Sequence, residues 1–354
     1  MTEVHVVVPD GIDDPRRPSG GNAYDRHVCR GLAATGWTVH EHAVAGCWPQ
    51  PDAASFAALA AVVERIPDGA VVLLDGLVAS TAPDVLVPQA SRLRLVVLVH
   101  MPFGDDTADD PTHDAEHRER AVLLVAAAVI TTSEWTRRRL LELYPLPADR
   151  LHVAEPGVED AGLAAGTAGA GALLCVAAVI DRKGHAVLLE ALATMSDLPW
   201  NCVCVGSVDR DPVFVEGLRR RALAVGLSDR VQFTGARTGT DLDASYAAAD
   251  LLVHASLAEP YGMVVTEALA RGLPVVATEV GGLPEALGHG ADGIRPGLLV
   301  PPGDETAFAA ALRAWLTDAE LRTRLRRAAR ERRATLAGWP ATTATVADVL
   351  RRAA

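Results

Sequence analysis

The sequence predicts an α/β chain built from two doubly wound, Rossmann-like halves, each a parallel sheet layered with helices. Three observations carry this reading. Short apolar runs of strand length alternate with helical patterns along the whole chain. An Ala/Gly-rich segment at 159–171 separates two such series. The 354 residues, 49% of them hydrophobic, supply two ordinary cores.

The first series opens with a strand at 4–8, a helix at 24–35, a strand at 38–42, a helix at 55–65 and strands at 70–74 and 93–100. Strands joined through helices must run parallel, because a crossover brings the chain back to the same end of the sheet. A helix at 117–127, a strand at 129–132 and a helix near Ser133, whose hydroxyl suits an N-cap, complete this half. We place the first domain at 1–158, the linker at 159–171, where side chains are too small to pack a core, and the second domain at 172–339. The second series has strands at 173–179, 200–206, 231–234 and 251–254, with helices at 185–193, 212–225 and 242–248 between them. The stretch 306–336 reads as a helix capped by Asp304, its arginines from Arg322 to Arg333 forming a solvated face. After the Gly338-Trp339-Pro340 break, a last helix at 342–352 is expected to pack back on the first domain, as part of 340–354. Two such domains in tandem leave a cleft at the carboxyl ends of their strands, where open α/β sheets hold ligands.

Charge and composition exclude several classes. A net charge of −12 repels nucleic acid and anionic lipid. No apolar run approaches the roughly 18 residues of a membrane span, so no integral membrane contact is expected. The start reads directly as a strand, which predicts a cytoplasmic protein. Five cysteines, an odd number with no CxxC spacing, read as reduced packing residues. Cys202 and Cys204 share a strand face, yet a CxC without partners makes a poor zinc site. A homodimer is left open. Among 33 basic residues there is one lysine, Lys183. A lysine that survives a drift toward arginine marks a place where a compact ammonium serves and a guanidinium fork does not.

The stretch 250–277 carries the most chemistry: strand, acidic loop, helix, glycine stop, strand. Pro260 suits the first helical turn, Gly272 the carboxyl cap, and Val265, Ala268 and Leu269 form an apolar stripe, with Met263, Thr266 and Glu267 on the other side. Backbone N–H groups at Gly262, Met263 and Val264, with the positive end of the helix dipole, suit a diphosphate. Glu259 just before the helix would then face a sugar, and Glu267, about one turn in, could accept from two ribose hydroxyls. Plainer roles stay open here: Glu259 complementing the dipole, and Glu267 as an exposed helix former.

Glu259, seven residues and then Glu267, set between these strands, resembles the EX7E motif of the retaining GT-B glycosyltransferases of family 4. Supporting pieces follow in order: Arg182-Lys183-Gly184-His185, Val231-Gln232-Phe233-Thr234-Gly235, Thr278 to Glu285, and Leu299 to Asp304. The resemblance covers most of the chain and is strongest over 173–302. It implies a GT-B fold and the transfer of a hexose-type sugar from a nucleotide-sugar donor to a small acceptor hydroxyl, with retained anomeric configuration. In that pattern Lys183 neutralises the donor diphosphate, Glu267 holds the ribose and Glu259 contacts the sugar. Many members carry an arginine five residues before the lysine; here Ala178 stands there, and Arg182 is the candidate second cation. The loop from Gly235 to Arg237 resembles the segment that reads the nucleobase. Gly20-Gly21, between the first strand and helix, resembles the family's glycine-rich phosphate loop, with a flexible surface turn as the alternative. His100 resembles a histidine that hydrogen-bonds the donor sugar, with a core histidine as the alternative.

The expected reaction needs stabilisation of the departing phosphate more than a strong base, and neither cofactor nor metal. Asp209-Arg210-Asp211 is similar to a metal-binding DxD, but it follows a strand in a loop. A nucleotide-sugar epimerase, or a binder without transfer, is the nearer alternative. An NAD-dependent oxidoreductase is a further one, since Glu41 ends a strand at about the distance of a ribose-binding acid, though no GxGxxG turn is present.

Overall fold

The computed structural model describes residues 2–105, 113–167 and 169–354, so Ala168 of the Ala/Gly-rich segment lies outside the described residues. The chain divides into two compact units. One comprises Met1–Asp13, Gly20–Gly157 and Ala337–Ala354; the other comprises Asp14–Ser19 and Val158–Leu336.

In the first unit, β1 (Glu3–Pro9), β2 (Thr38–Val44), β3 (Val71–Asp75), β4 (Arg94–Val99), β5 (Ala128–Thr131) and β6 (Leu151–Val153) form a parallel sheet in the order β2-β1-β3-β4-β5-β6. Its helices are α1 (Gly20–Ala34), α2 (Ala53–Val63), α3 (Gly76–Ala79), α4 (Pro83–Leu86), α5 (His113–Val125) and α6 (Glu134–Leu143). Ser133 caps α6 by accepting from the Thr136 amide at 3.0 Å. Strands β3 and β5 are buried at every residue, and apart from Asp75 and Thr131 at their ends they are apolar, as suits strands covered on both faces.

In the second unit, β7 (Ala172–Val176), β8 (Asn201–Val205), β9 (Val231–Gly235), β10 (Leu251–His254), β11 (Val275–Thr278) and β12 (Gly297–Val300) pair in the order β12-β11-β10-β7-β8-β9, all parallel. The helices are α7 (His185–Ala193), α8 (Pro212–Ala224), α9 (Gly239–Ala247), α10 (Met263–Ala270), α11 (Leu283–Leu287), α12 (Glu305–Thr317) and α13 (Ala319–Arg333). Cys175, Cys202 and Cys204 sit in the hydrophobic core of this unit, Cys29 is buried in the first, and Cys47 is exposed. A final helix, α14 (Trp339–Ala353), belongs to the first unit. The Trp339 ring stacks on His27 at 4.0 Å, and Thr342 Oγ1 donates to the Glu155 carbonyl at 2.7 Å. Gly31 of α1 makes room for this docking, since a Cβ there would fall 2.2 Å from Thr343 Oγ1.

Four expectations change. The helix expected over 306–336 is two, because Asp318 takes an extended backbone and its side chain accepts from the Leu321 amide at 2.9 Å, starting α13 afresh. Gly20 and Gly21 lie in the first turn of α1 rather than in a loop before it. Helix α10 begins at Met263 with Gly262 as its N-cap, so Pro260 precedes the first turn, and Thr266 is buried instead of facing outward. The Ala/Gly-rich segment is anchored rather than loose. Buried Asp250 accepts from the Thr167 amide at 2.8 Å, the Thr167 hydroxyl at 2.6 Å and the Ala172 amide at 3.0 Å, while the Ala164 amide donates to the Arg271 carbonyl at 2.9 Å. Small side chains left the backbone accessible, and its donors found acceptors on the second unit.

Candidate active site

From β7 the chain runs outward through β8 and β9, then returns to β10 on the other side of β7. Loops leaving the carboxyl ends of β7 and β10 therefore diverge, and such a switch point is where doubly wound sheets hold ligands. Lys183 lies on the first of these loops and Glu259 on the second. Lys183 Nζ stands 2.5 Å from Glu259 Oε2, and His254 Nε2 stands 3.0 Å from the same oxygen. Burial alone would raise the Glu259 carboxyl, but the Lys183 charge and the His254 hydrogen bond outweigh it and hold the group well below the usual carboxylate range.

Glycines let these loops approach each other at backbone distance. Gly184 has φ +68°, and a Cβ on it would fall 1.9 Å from the Ala255 carbonyl oxygen. The Arg182 carbonyl accepts from the Leu257 amide at 2.8 Å and the Ser256 hydroxyl at 3.3 Å. On the far side, Cβ atoms on Gly281 and Gly282 would fall 2.0 Å from the Glu259 carbonyl oxygen and 2.2 Å from that of Pro260. The Gly282 amide donates to the Glu259 carbonyl at 2.9 Å. The loop carrying Glu259 is thus clamped from two directions by turns that admit no side chain.

The chain then enters α10 through Gly262 at φ +99°. The first-turn amides, which include Met263 and Val264, lack intrahelical acceptors, so this end suits an anion. Glu267, half-buried one turn in, accepts from the Tyr246 hydroxyl at 2.7 Å. Burial raises its carboxyl above the ordinary range despite Tyr246 and Arg271. The Arg271 guanidinium lies 4.5 Å from the centre of the Tyr246 ring and donates to the Glu267 carbonyl at 2.9 Å, which fixes the pair. At the end of β9, Gly235 has φ +82° and open space around it, while Arg237 donates to Ser245 Oγ at 2.9 Å.

Ala178 follows β7 and offers no charge. Sequence reasoning missed a cation on the β8–α8 loop: Arg210, whose Nη2 donates to the Arg17 carbonyl at 3.3 Å. Burial and the like charges of Arg17 and Arg182 depress its guanidinium, which places three arginines in one neighbourhood. Asp211 of the same loop accepts from the Phe214 amide at 3.0 Å as the cap of α8.

In the first unit, His100 follows β4 and its Nε2 stands 2.9 Å from Asp25 Oδ1 on α1. A Cβ on Gly21 would lie 3.2 Å from the His100 ring, so that glycine serves close packing. Asp75, ending β3, joins the cluster and accepts from the Leu77 amide at 2.6 Å. Burial pushes Asp25 up to about 7, and burial with the Asp25 charge pushes Asp75 well above its usual range. Burial also lowers His100, which keeps its ring neutral. Nothing in the sequence pattern pointed to either aspartate. Glu41, the candidate ribose acid of an NAD site, is held by Arg26 Nη1 at 2.5 Å.

The family description Glycosyltransferase Family 4 matches residues 3–161, and Glycosyl transferases group 1 matches residues 169–332. Similar curated proteins include D-inositol 3-phosphate glycosyltransferase 1 of Catenulispora acidiphila, 31% identical over 74% of this chain and 65% of that protein. The D-inositol 3-phosphate glycosyltransferase of Salinispora tropica is 32% identical over 65% of this chain and 52% of its own length. The chain spans about half to two thirds of the curated relatives it matches. Among solved structures, sucrose-phosphate synthase from Thermosynechococcus elongatus superposes with a TM-score of 0.77 at 23% identity, over 99% of each chain. Anabaena HepE in complex with UDP and glucose does so with 0.75 at 19%, over 99% of this chain and 100% of that one. At such identities the likeness shows the fold, which is GT-B. With one family description on each of its two sheets and that architecture throughout, the chain belongs to the group 1, family 4 glycosyltransferases.

Proposed function

We propose that the chain transfers a hexose-type sugar from a nucleotide-sugar to a hydroxyl of a small soluble acceptor, with retention at the anomeric carbon and without a metal. The observation that carries this reading is the meeting of Lys183 and Glu259 at the β7/β10 switch point. In this scheme the bond between the anomeric carbon and the diphosphate oxygen breaks. The acceptor oxygen bonds to that carbon on the same face, and its proton passes to the departing phosphate. Lys183, Arg182 and the first amides of α10 stabilise the charge that develops on the leaving group. Glu267 retains acceptor capacity beyond its single bond from Tyr246, which suits a vicinal diol. Glu259 orients the sugar.

Among the described residues no helix is long and apolar enough to cross a membrane. The test is a thermal-shift panel of UDP, GDP, ADP and TDP with their sugars, followed by product NMR with D-inositol 3-phosphate first among the acceptors. That acceptor is chosen because it is named in the activity of the similar curated proteins. Binding of a nucleotide-sugar and an α-linked product from an α-linked donor are expected. A panel in which no nucleotide raises the melting temperature would overturn the reading.

A further inference from the structure

A cluster of titratable side chains lies on the first sheet, away from the strand ends that carry the proposed chemistry. In the register of β1 and β2, His5 stands opposite His40. His42 is two residues on from His40, and Glu3 two residues before His5, so all four share one face of the sheet. The His5 and His40 rings are 4.7 Å apart and within 19° of parallel; those of His5 and His42 are 5.3 Å apart and within 8°. His5 Nδ1 stands 3.0 Å from His42 Nε2, Glu3 Oε1 stands 4.0 Å from His5 Nε2, and Glu3 also pairs with His40 Nε2.

We propose that Glu3, His5 and His40 bind a Zn²⁺ ion at this edge of the first sheet, with His42 orienting His5. Two imidazoles and a carboxylate form a common donor set for this ion, and a 4.0 Å spacing is within reach of ligands that each stand about 2.0–2.2 Å from a shared metal. When His5 donates Nδ1–H to His42, its Nε2 presents a lone pair toward Glu3. That is the arrangement in which a metal-bound histidine is held by a hydrogen bond from its other nitrogen. His5 is buried, while the side chains of Glu3 and His40 are 56% and 41% exposed and give the ion its entry. Strand β2 is the outer strand of its sheet, so the ion would tie that edge to β1.

The experiment uses untagged, chelator-treated full-length protein titrated with ZnCl₂ against a competing dye, and with CoCl₂ followed by visible absorption. One tight equivalent and a Co²⁺ ligand-field band are expected. His40→Ala and Glu3→Gln should remove both, and His42→Ala should weaken Zn²⁺ binding about 10–100-fold. Far-UV circular dichroism and the melting temperature of the metal-free protein serve as the fold control in each variant. Zn²⁺ stoichiometry and affinity unchanged in His40→Ala, or no tight equivalent in the unmodified chain, would overturn the proposal.

Discussion

Each unit draws carboxyl groups largely away from water, Glu259 after β10 in the second and Asp25 on α1 with Asp75 at the end of β3 in the first, but the two clusters are electrostatic opposites. In the second unit Glu259 meets an ammonium and an imidazole, and stays ionised far below the usual range. In the first unit Asp25 and Asp75 meet each other and His100, and burial pushes both carboxyls upward, Asp25 to about 7. Burial acts in the same direction on both; the partners decide the outcome. One half is built to keep a fixed charge pair that an incoming anion can engage, the other to keep a polar group with little net charge.

That contrast can be broken at its strongest point first. Glu259→Gln keeps the shape and removes the charge. Turnover should fall about 10²-fold or more, with the nucleotide dissociation constant little altered, in steady-state kinetics beside calorimetry. Unchanged turnover would mean that the charge pair has no part in the reaction. Lys183→Arg keeps the charge and changes its shape, and a loss of about tenfold or more in kcat/KM is expected, because a fork cannot replace a compact ammonium between Glu259 and a phosphate. Glu267→Ala should raise the nucleotide dissociation constant about tenfold while kcat at saturation changes less, as suits a charged hydrogen-bond acceptor that holds ribose.

The smallest effect is a slope of stability with pH. Because folding raises the Asp25 pKa to about 7, the folded chain holds a proton that the unfolded chain releases near pH 4. The stability from this group is therefore full below about pH 4, falls as pH rises toward 7 and is flat beyond. The Glu259 contribution runs the other way, present above the ordinary glutamate range and lost only in acid. Asp25→Asn should flatten the slope between pH 5 and 8 in urea denaturation, whereas Glu259→Gln should leave that window alone. Equal slopes in all three proteins would erase the distinction between the units.

How much of this was legible depends on how far apart in sequence the partners lie. The strand and helix alternation stands within short windows, so periodicity was enough to find it, and Gly262, Glu259 and Glu267 lie close enough in sequence for spacing and the family resemblance to mark them as candidates. Lys183 drew notice because its type is solitary. Tyr246 and Arg210 act through Glu267 and Arg17, which the fold brings close from other elements, whereas His254 stands only five residues from Glu259 and was missed because it reads as the last residue of an apolar strand. Asp25 and Asp75 come from different elements and carry no local signature. The break at Asp318 was hidden for another reason: helical periodicity continues on both sides of it, and a single capping side chain decides where one helix stops and the next starts.

The solitary lysine also has a practical side. A reagent that acylates amines has one side chain to find in this sequence, apart from the terminal amino group. Lys183 is only 15% exposed and holds Glu259, so its labelling rate would report how often that bridge opens. A bound nucleotide that occupies the ammonium should slow the labelling in proportion to its occupancy, which would turn a routine mass measurement into a titration of the site.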